Sequence, residues 1–279
     1  MRQGGCFRRT MSSKDKSDHL ERTAEQQRDN AVYLARVTDM WHLSPTVKTL
    51  FLHVNTTASY KAGQWLDLMI PGLSKVGGFT MCTSPLQFDK TKILQLAVKY
   101  SEHPPTYWIH KQSKVGNEVS IRFGGDFVYD PKPDDPPRDV LLLGGGVGIN
   151  PLYCIMNYIA DLNKLKTPKQ LSEDKRVNTL LLYSSSKTEE LLFKYEMDEL
   201  EKNNENIKCK YFVTREKPTQ GNIKGHRINK TDLEDAFKFI KKEECLAYIC
   251  GPVSMIETIE KLLQELGLKT NQIFVDRWW

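Results

Sequence analysis

Residue types that build metal centres and disulfides are few in this sequence, and they are widely spaced. The chain of 279 residues has six cysteines and six histidines, and no two cysteines are arranged as C-x-x-C. Zinc and iron–sulfur sites built on paired thiolates are therefore not expected. Most of the cysteines lie in apolar stretches, which is typical of reduced thiols in an intracellular compartment.

The sequence also lacks a strong excess of one charge. Its 40 lysines and arginines nearly balance its 35 aspartates and glutamates, which leaves a net charge of +5. No dense basic tract follows the first ten residues, so nucleic acid is not an expected partner.

A transmembrane segment is not expected, although one stretch imitates it. Residues 140–160 carry no charge over 21 positions. Three consecutive glycines and then Asn150-Pro151 interrupt this stretch, where a lipid-exposed backbone would need unbroken internal hydrogen bonds. A buried strand, a tight turn and a helix explain the stretch better.

The first 30 residues are polar, and we expect them to lie outside the folded core. Arg2, Arg8 and Arg9 precede the first acidic residue, Asp15, which hints at a mitochondrial presequence. A disordered tail is the alternative interpretation. The sequence thus favours a mitochondrial location, with the cytoplasm as the alternative.

Two different rhythms of hydrophobic residues predict two domains. Residues 31–133 contain short strand-like runs with little helical pattern between them, which predicts a small antiparallel β-barrel. Four prolines among residues 130–139 indicate a domain boundary. Residues 138–279 alternate apolar strands with helical patterns near 151–163, 189–202, 231–242 and 253–266, which predicts an α/β domain with a parallel sheet.

The strongest local signal is the glycine-rich turn Gly144–Pro151 between a buried strand and a helix. Its glycines let a phosphate approach without a Cβ in the way, and Pro151 suits the first turn of the helix. The free N–H groups and the helix dipole attract a diphosphate there. The sequence therefore predicts a pyridine dinucleotide at this turn, and a glycine turn without a ligand is the alternative.

The turn does not follow the usual dinucleotide or nucleotide patterns. A strict G-x-G-x-x-G is absent, and the next strand ends in Ser184-Ser185-Ser186 with no acidic residue. No G-K-[ST] follows, so the turn is not a P-loop. The pattern that the turn does follow is G-x-G-x-x-P, over Gly146–Pro151.

That turn and three other motifs resemble the ferredoxin–NADP reductase superfamily, which includes the cytochrome b5 reductases. The resemblance runs from Ala31 to Trp279 and depends on four segments in the family's order: Lys61–Trp65, Gly146–Pro151, Cys250–Pro252 with Met255, and Asp276–Trp279. The dinucleotide-binding residues that it implies are Gly144, Gly145, Gly146, Val147, Gly148, Ile149, Asn150, Pro151, Cys250, Gly251 and Pro252.

The resemblance also implies a flavin, with FAD expected, between the barrel and the α/β domain. Hydride would pass between nicotinamide and flavin, and electrons would leave to a separate redox protein or small-molecule acceptor. Cys250 would lie beside the nicotinamide and Trp279 near the flavin face, so both are candidate catalytic residues. Each has a plainer alternative as an apolar residue of the core.

The flavin motifs depart from the family pattern. R-x-Y-[ST]-x-x-S corresponds to Gly77–Thr83, so Gly77 stands where an arginine pairs with flavin phosphate, while Phe79, Thr80 and Thr83 are retained candidates. The second flavin segment places Thr106 at the start of a helix, just after two prolines. The main alternative to a flavin oxidoreductase is therefore a dinucleotide-binding sensor or interaction protein that has lost flavin; a purely structural scaffold would leave the glycine turn unexplained.

The sequence distinguishes only weakly between NAD(H) and NADP(H). Thr214-Arg215-Glu216 resembles a segment that carries 2′-phosphate ligands in NADP-using relatives, and Arg215 or Lys217 would serve. Similar segments occur in NAD-using relatives, so NAD(H) is slightly favoured over NADP(H).

Overall fold

The computed structural model describes residues 18–132, 134–165, 177–218 and 221–277. These residues form two six-stranded sheets. One hydrophobic core lies inside the first sheet and continues between the first sheet and one face of the second sheet. A separate core covers the other face of the second sheet. The predicted class, a β-barrel followed by a parallel α/β domain, is confirmed.

The first sheet is antiparallel and has the order β4-β3-β6-β1-β2-β5. The bridge between Met81 and Leu96 joins its two edges into a barrel. Its elements, with the helices between them, are α1 (His19–Arg22), β1 (Tyr33–His42), β2 (Val47–Val54), β3 (Trp65–Met69), β4 (Gly77–Thr80), α2 (Pro85–Thr91), β5 (Ile93–Lys99), α3 (Pro104–Lys111) and β6 (Glu118–Gly124).

The second sheet is parallel and has the order β10-β9-β8-β7-β11-β12. All six residues of β7 are buried, as expected for a strand covered on both faces. Its elements are β7 (Val140–Gly145), α4 (Ile149–Leu165), β8 (Thr179–Ser185), α5 (Lys194–Asn203), β9 (Ile207–Val213), β10 (Ile223–Lys224), α6 (Lys230–Ala236), β11 (Leu246–Cys250), α7 (Val253–Glu265) and β12 (Ile273–Asp276).

Residues 18–30 differ from the expectation that the first 30 residues lie outside the core. They pack on the outer face of β3 and β6, where the buried carboxylate of Asp67 binds His19 Nε2 at 2.8 Å, Arg28 Nε at 3.1 Å and Arg122 Nη2 at 2.6 Å. The indole of Trp65 meets the His19 ring edge-on and donates Nε1–H to Gln26. Residues 1–17 lie outside the described part of the chain.

Helix α4 is the element that joins the two domains. Its Asn150 donates Nδ2–H to the carbonyl of Ala97 on β5 at 2.8 Å, and Cys154 Sγ contacts the carbonyl of Thr83 at 3.0 Å. Ser44 and Thr46 of the β1–β2 turn also donate their hydroxyls to Glu190 of the α/β domain. Hydrogen bonds from two parts of the α/β domain therefore hold it against the barrel.

None of the described helices is long and apolar enough to cross a membrane.

Candidate active site

The glycine-rich turn lies at the carboxyl end of β7, as the sequence predicts. β7 ends at Gly145, one 3₁₀ turn covers Gly146–Gly148, and α4 starts at Ile149 with Pro151 in its first turn. Gly146 has a φ of +55° and a Cβ there would meet nothing within 4 Å, so this residue faces open space. The 3₁₀ turn is thus open to an anion, although the start of α4 itself offers few N–H groups, because that of Ile149 is bonded to the Gly146 and Val147 carbonyls and Pro151 has none.

The Cys250–Pro252 segment is in direct contact with this turn. A Cβ on Gly148 would lie 2.4 Å from the carbonyl oxygen of Cys250, and one on Gly145 would lie 2.7 Å from Pro252 Cδ. Two motifs about 100 residues apart in the sequence therefore form one surface. Because α7 starts at Val253, a second helix N-terminus reaches this surface beside that of α4.

A cavity of about 400 Å³ opens over this surface. It lies at the carboxyl ends of β7, β8 and β9, which is where open parallel sheets bind nucleotides. The barrel closes one side through Val47 and Lys99. The residues of the α/β domain that line it include Gly145, Gly146, Val147, Ser184, Ser185, Ser186, Glu190, Arg215, Arg227, Pro252, Ser254 and Met255.

The end of the cavity bordered by Arg215 and Arg227, called the far end below, carries positive charge. Arg215 and Arg227 are both exposed there, while β8 ends in serines that carry no carboxylate. Glu190 also lines the cavity, but both of its oxygens accept hydrogen bonds from the barrel residues Ser44 and Thr46. This end can therefore receive an anionic group such as a nucleotide phosphate.

Three neighbouring strands bring Gly144, Cys250 and Asp276 side by side. Cys250 on β11 is paired with Gly144 on β7 and with Asp276 on β12. The Cys250 thiol lies 3.6 Å from Asp276 Oδ2, and burial raises the pKa of Asp276 to about 6 although the thiol contact opposes the shift. A thiol and a carboxyl group with a raised pKa thus stand together beside the glycine turn.

Asp276→Asn is expected to flatten the pH dependence of folding stability. The folded protein keeps the Asp276 proton up to about pH 6, whereas the unfolded chain loses it near 3.8. The free energy of unfolding of the wild type therefore falls as the pH rises through this window, and it should fall less in the asparagine variant. Thermal unfolding of both proteins on either side of the window measures this difference.

Asp134→Asn, which changes an exposed carboxylate, is the matched control. Parallel stability curves for Asp276→Asn and the wild type would contradict the assignment of this titration to Asp276.

The flavin-motif residues occupy two kinds of position. Phe79 and Thr80 on β4 are half-buried, and Thr106 is buried in the first turn of α3. Thr83 instead binds residues of the protein itself: its hydroxyl accepts the N–H of Gln95 at 2.8 Å, and its carbonyl accepts the hydroxyl of Tyr60 and the thiol of Cys154 across the domain contact. Trp279, the other candidate catalytic residue, lies outside the described residues.

Of the candidate dinucleotide-binding residues, Gly145, Gly146, Val147 and Pro252 line the cavity, whereas the other described candidates are buried behind it. The structure fits a flavin only in part. The cavity, the open backbone at Gly146 and the two helix N-termini suit a diphosphate and a nicotinamide. Phe79 and Thr80 offer an aromatic ring and a hydroxyl to a planar ligand. At Gly77, however, a Cβ would lie 2.5 Å from the Phe79 ring, so the place of the family's arginine side chain is filled.

Sequence reasoning missed two residues of this site. In the sequence Asp276 is only part of a terminal motif, and its position beside Cys250 depends on the register of β12 against β11. Glu190 had no local signal at all, since its partners Ser44 and Thr46 are about 144 residues away in the sequence. The only local indication of either residue in the sequence is the position of Asp276 shortly before the terminal tryptophans.

Solved structures with this architecture define the class. The FAD/NAD-binding domain of nitric oxide dioxygenase from Vibrio cholerae matches with a TM-score of 0.69 and 19% identity, over 88% of this chain and 97% of that one. A ferredoxin NADP⁺ reductase from Neisseria gonorrhoeae, solved with FAD and NADP, matches with a TM-score of 0.70 and 16% identity, over 90% and 100% of the two chains. The fold is therefore that of the ferredoxin–NADP reductase class.

Similarity in sequence gives the particular family. Residues 142–261 match the oxidoreductase NAD-binding domain. Oxidoreductase NAD-binding domain-containing protein 1 of Xenopus laevis is 41% identical over 98% of this chain and 87% of its own length, and its Homo sapiens counterpart is 40% identical over 96% and 87%. The chain belongs to the family of oxidoreductase NAD-binding domain-containing protein 1.

Proposed function

We propose that this chain oxidises NAD(P)H by passing a hydride to a flavin, and that the electrons then leave to a separate acceptor. One observation carries the proposal: the glycine turn, Pro252 beside it and the barrel wall at Val47 and Lys99 border a single cavity. Hydride transfer requires two rings in contact and shielded from water. A cavity between a dinucleotide-binding sheet and a barrel supplies that arrangement.

Each part of the site has its own task in this proposal. The N–H groups at the starts of α4 and α7 bind the dinucleotide diphosphate. Cys250 and Asp276 border the nicotinamide, where the thiol packs against the ring and the carboxyl group holds or releases a proton near pH 6. A bound flavin supplies the hydride acceptor. Asn150 fixes the turn to the barrel through Ala97, which sets the distance between the two halves of the site.

The coenzyme preference follows from the far end of the cavity. The sequence slightly favours NAD(H), but two exposed guanidinium groups, Arg215 and Arg227, border the cavity there. No carboxylate at the end of β8 is present to repel a 2′-phosphate or to bind a ribose 2′-hydroxyl. We propose that both coenzymes are used, with NAD(H) remaining the sequence-based preference.

The acceptor is a redox protein or a small molecule, and the proposed location is the mitochondrion. The support for the location is the arginine pattern of the first residues, which lie outside the described part of the chain. Import of the full-length chain into isolated mitochondria, compared with a variant lacking residues 1–17, tests the location.

The proposed reaction is tested by mixing the purified chain with NADH or NADPH and an added flavin without oxygen. We expect the visible absorbance of oxidised flavin to disappear at a rate proportional to the protein concentration, with both coenzymes. The Val147→Asp variant, which puts a negative charge at the turn, should bind the coenzymes weakly and lose this activity. A chain that binds NADH but reduces no flavin would support the sensor alternative instead.

A further inference from the structure

We infer that the flavin is an exchangeable substrate, recognised by its ring system, and that the diphosphate of FAD adds little to its binding. This inference rests on the proposed function and specifies its substrate class. The evidence is that the two features of the barrel that would bind a flavin diphosphate are both closed.

The first closed feature is the position of the motif arginine. A Cβ on Gly77 would lie 2.5 Å from Phe79 Cε2 and 2.9 Å from Pro105 Cβ. Real side chains do not make such contacts, so the Phe79 ring and Pro105 take up the space beside residue 77. The groove between β4 and the start of α3 is therefore filled with carbon atoms where a phosphate would need a cation.

The second closed feature is the N-terminus of α3. In a helix, the first three positions after the N-cap offer N–H groups without internal partners. Here these positions are Pro104, Pro105 and Thr106, because His103 is the N-cap and Tyr107 already donates its N–H to the His103 carbonyl. Proline has no N–H. Only the N–H of Thr106 is left, so this helix start is a poor anion site.

Cations near this groove are engaged elsewhere or stand on its rim. Arg28 and Arg122 bind the buried Asp67 carboxylate, and Lys75 pairs with Asp18 at 3.1 Å. Arg22, at the exposed end of α1, is near enough to His103 to affect its charge. Arg22 is therefore a cation that the test examines separately as a replacement for the missing arginine.

The contrast with the dinucleotide half of the molecule supports the inference. There the turn at Gly146 is open and two helix starts reach one cavity. A protein that offers several donors to one diphosphate and a single helix N–H to the other should bind the dinucleotide more firmly than the flavin phosphates and exchange the flavin. In the reaction, hydride leaves the dihydronicotinamide to give NAD(P)⁺, and the flavin gains two electrons and, with one solvent proton, departs as reduced flavin.

The test compares riboflavin, FMN and FAD as added substrates of the full chain after gel filtration, with NADH in excess. Because the phosphates contribute little, we expect the chain to elute without flavin and the three KM values to agree within about three-fold. Co-elution of FAD, or a KM for FAD about ten-fold or more below that for riboflavin, would overturn the inference. Absence of turnover with all three flavins would instead contradict the proposed function.

Two variants make the test specific. Pro104→Ala with Pro105→Ala restores two N–H donors and should lower the KM for FMN and FAD about ten-fold while leaving riboflavin unchanged. Pro71→Ala, in an exposed turn, is the matched control and should change none of them. If Arg22→Ala raised the KM for FAD but not for riboflavin, Arg22 would replace the motif arginine and the inference would be wrong.

Discussion

Asp67→Asn is expected to lower the free energy of unfolding by about 3–5 kcal/mol. The Asp67 side chain is completely buried, and it binds His19, Arg28 and Arg122 within 3.1 Å. An asparagine has nearly the same shape but no charge, so two buried or half-buried guanidinium groups would lose their counter-charge. That loss, rather than the loss of packing, is the main cost.

The same substitution should release residues 18–30 from the barrel before the rest of the chain unfolds. His19 and Arg28 are the contacts by which Asp67 holds this segment, and Trp65 packs against both of them. Limited proteolysis within residues 18–30 and a change in tryptophan fluorescence should therefore precede global unfolding. Asp126→Asn, which changes an exposed carboxylate on the same barrel, is expected to leave both measurements unchanged.

The contribution of Asp67 should also depend on pH in a defined direction. Burial by itself raises the pKa of Asp67, but hydrogen bonds from His19 and Arg122 and the charge of Arg28 outweigh it and hold the pKa below the usual 3.8. The unfolded chain takes up the proton first as the pH falls. Stability from Asp67 is thus fully present above the unfolded pKa and is lost as the pH falls through the folded pKa. Equal acid sensitivity of the wild type and Asp67→Asn would contradict this assignment.

Segment 18–30 also shows what the sequence could not predict. Its residues are polar and have no strand or helix period, so they resemble a tail. They dock because Arg122 of the barrel binds only one oxygen of the buried Asp67 carboxylate. His19, 48 residues away in the sequence, binds the other oxygen, and Arg28 adds a second guanidinium group. The hydrophobic pattern predicts which face of a strand packs into the apolar core. It does not predict a cluster of polar side chains that come from distant parts of the sequence and pair with one another.

The α/β half of the molecule is more predictable because its signals are local. The run of β7, the glycine turn and the start of α4 are contiguous in the sequence, and glycine and proline there suit the backbone of a strand–turn–helix junction. The strands β4 and β10, with four and two residues, were not predicted, since such short segments carry too little periodicity. The sequence predicts a helix near 231–242. In the structure α6 ends at Ala236 and a turn follows, although the helical pattern of the sequence continues.

Gly148→Ala is expected to weaken dinucleotide binding about 100-fold, because it would push apart the two segments that border the proposed dinucleotide site. The new Cβ would lie 2.4 Å from the Cys250 carbonyl oxygen and 2.7 Å from the Gly251 nitrogen. Both are backbone atoms of a strand end, so no side chain can rotate away to make room. The turn must therefore move by about 1 Å, and overpacking of this kind costs about 1–3 kcal/mol of stability.

The measurement is the Kd for NADH and for NADPH by fluorescence titration, together with thermal unfolding of each variant. Gly221→Ala is the matched control, because a Cβ there meets nothing within 4 Å and its backbone has no positive φ. Both Kd values should rise together in Gly148→Ala, since the displaced turn binds the diphosphate that the two coenzymes share. If the variant stayed folded and bound both coenzymes as the wild type does, the glycine turn would not be the dinucleotide site, and the family resemblance would extend to the fold but not to this contact.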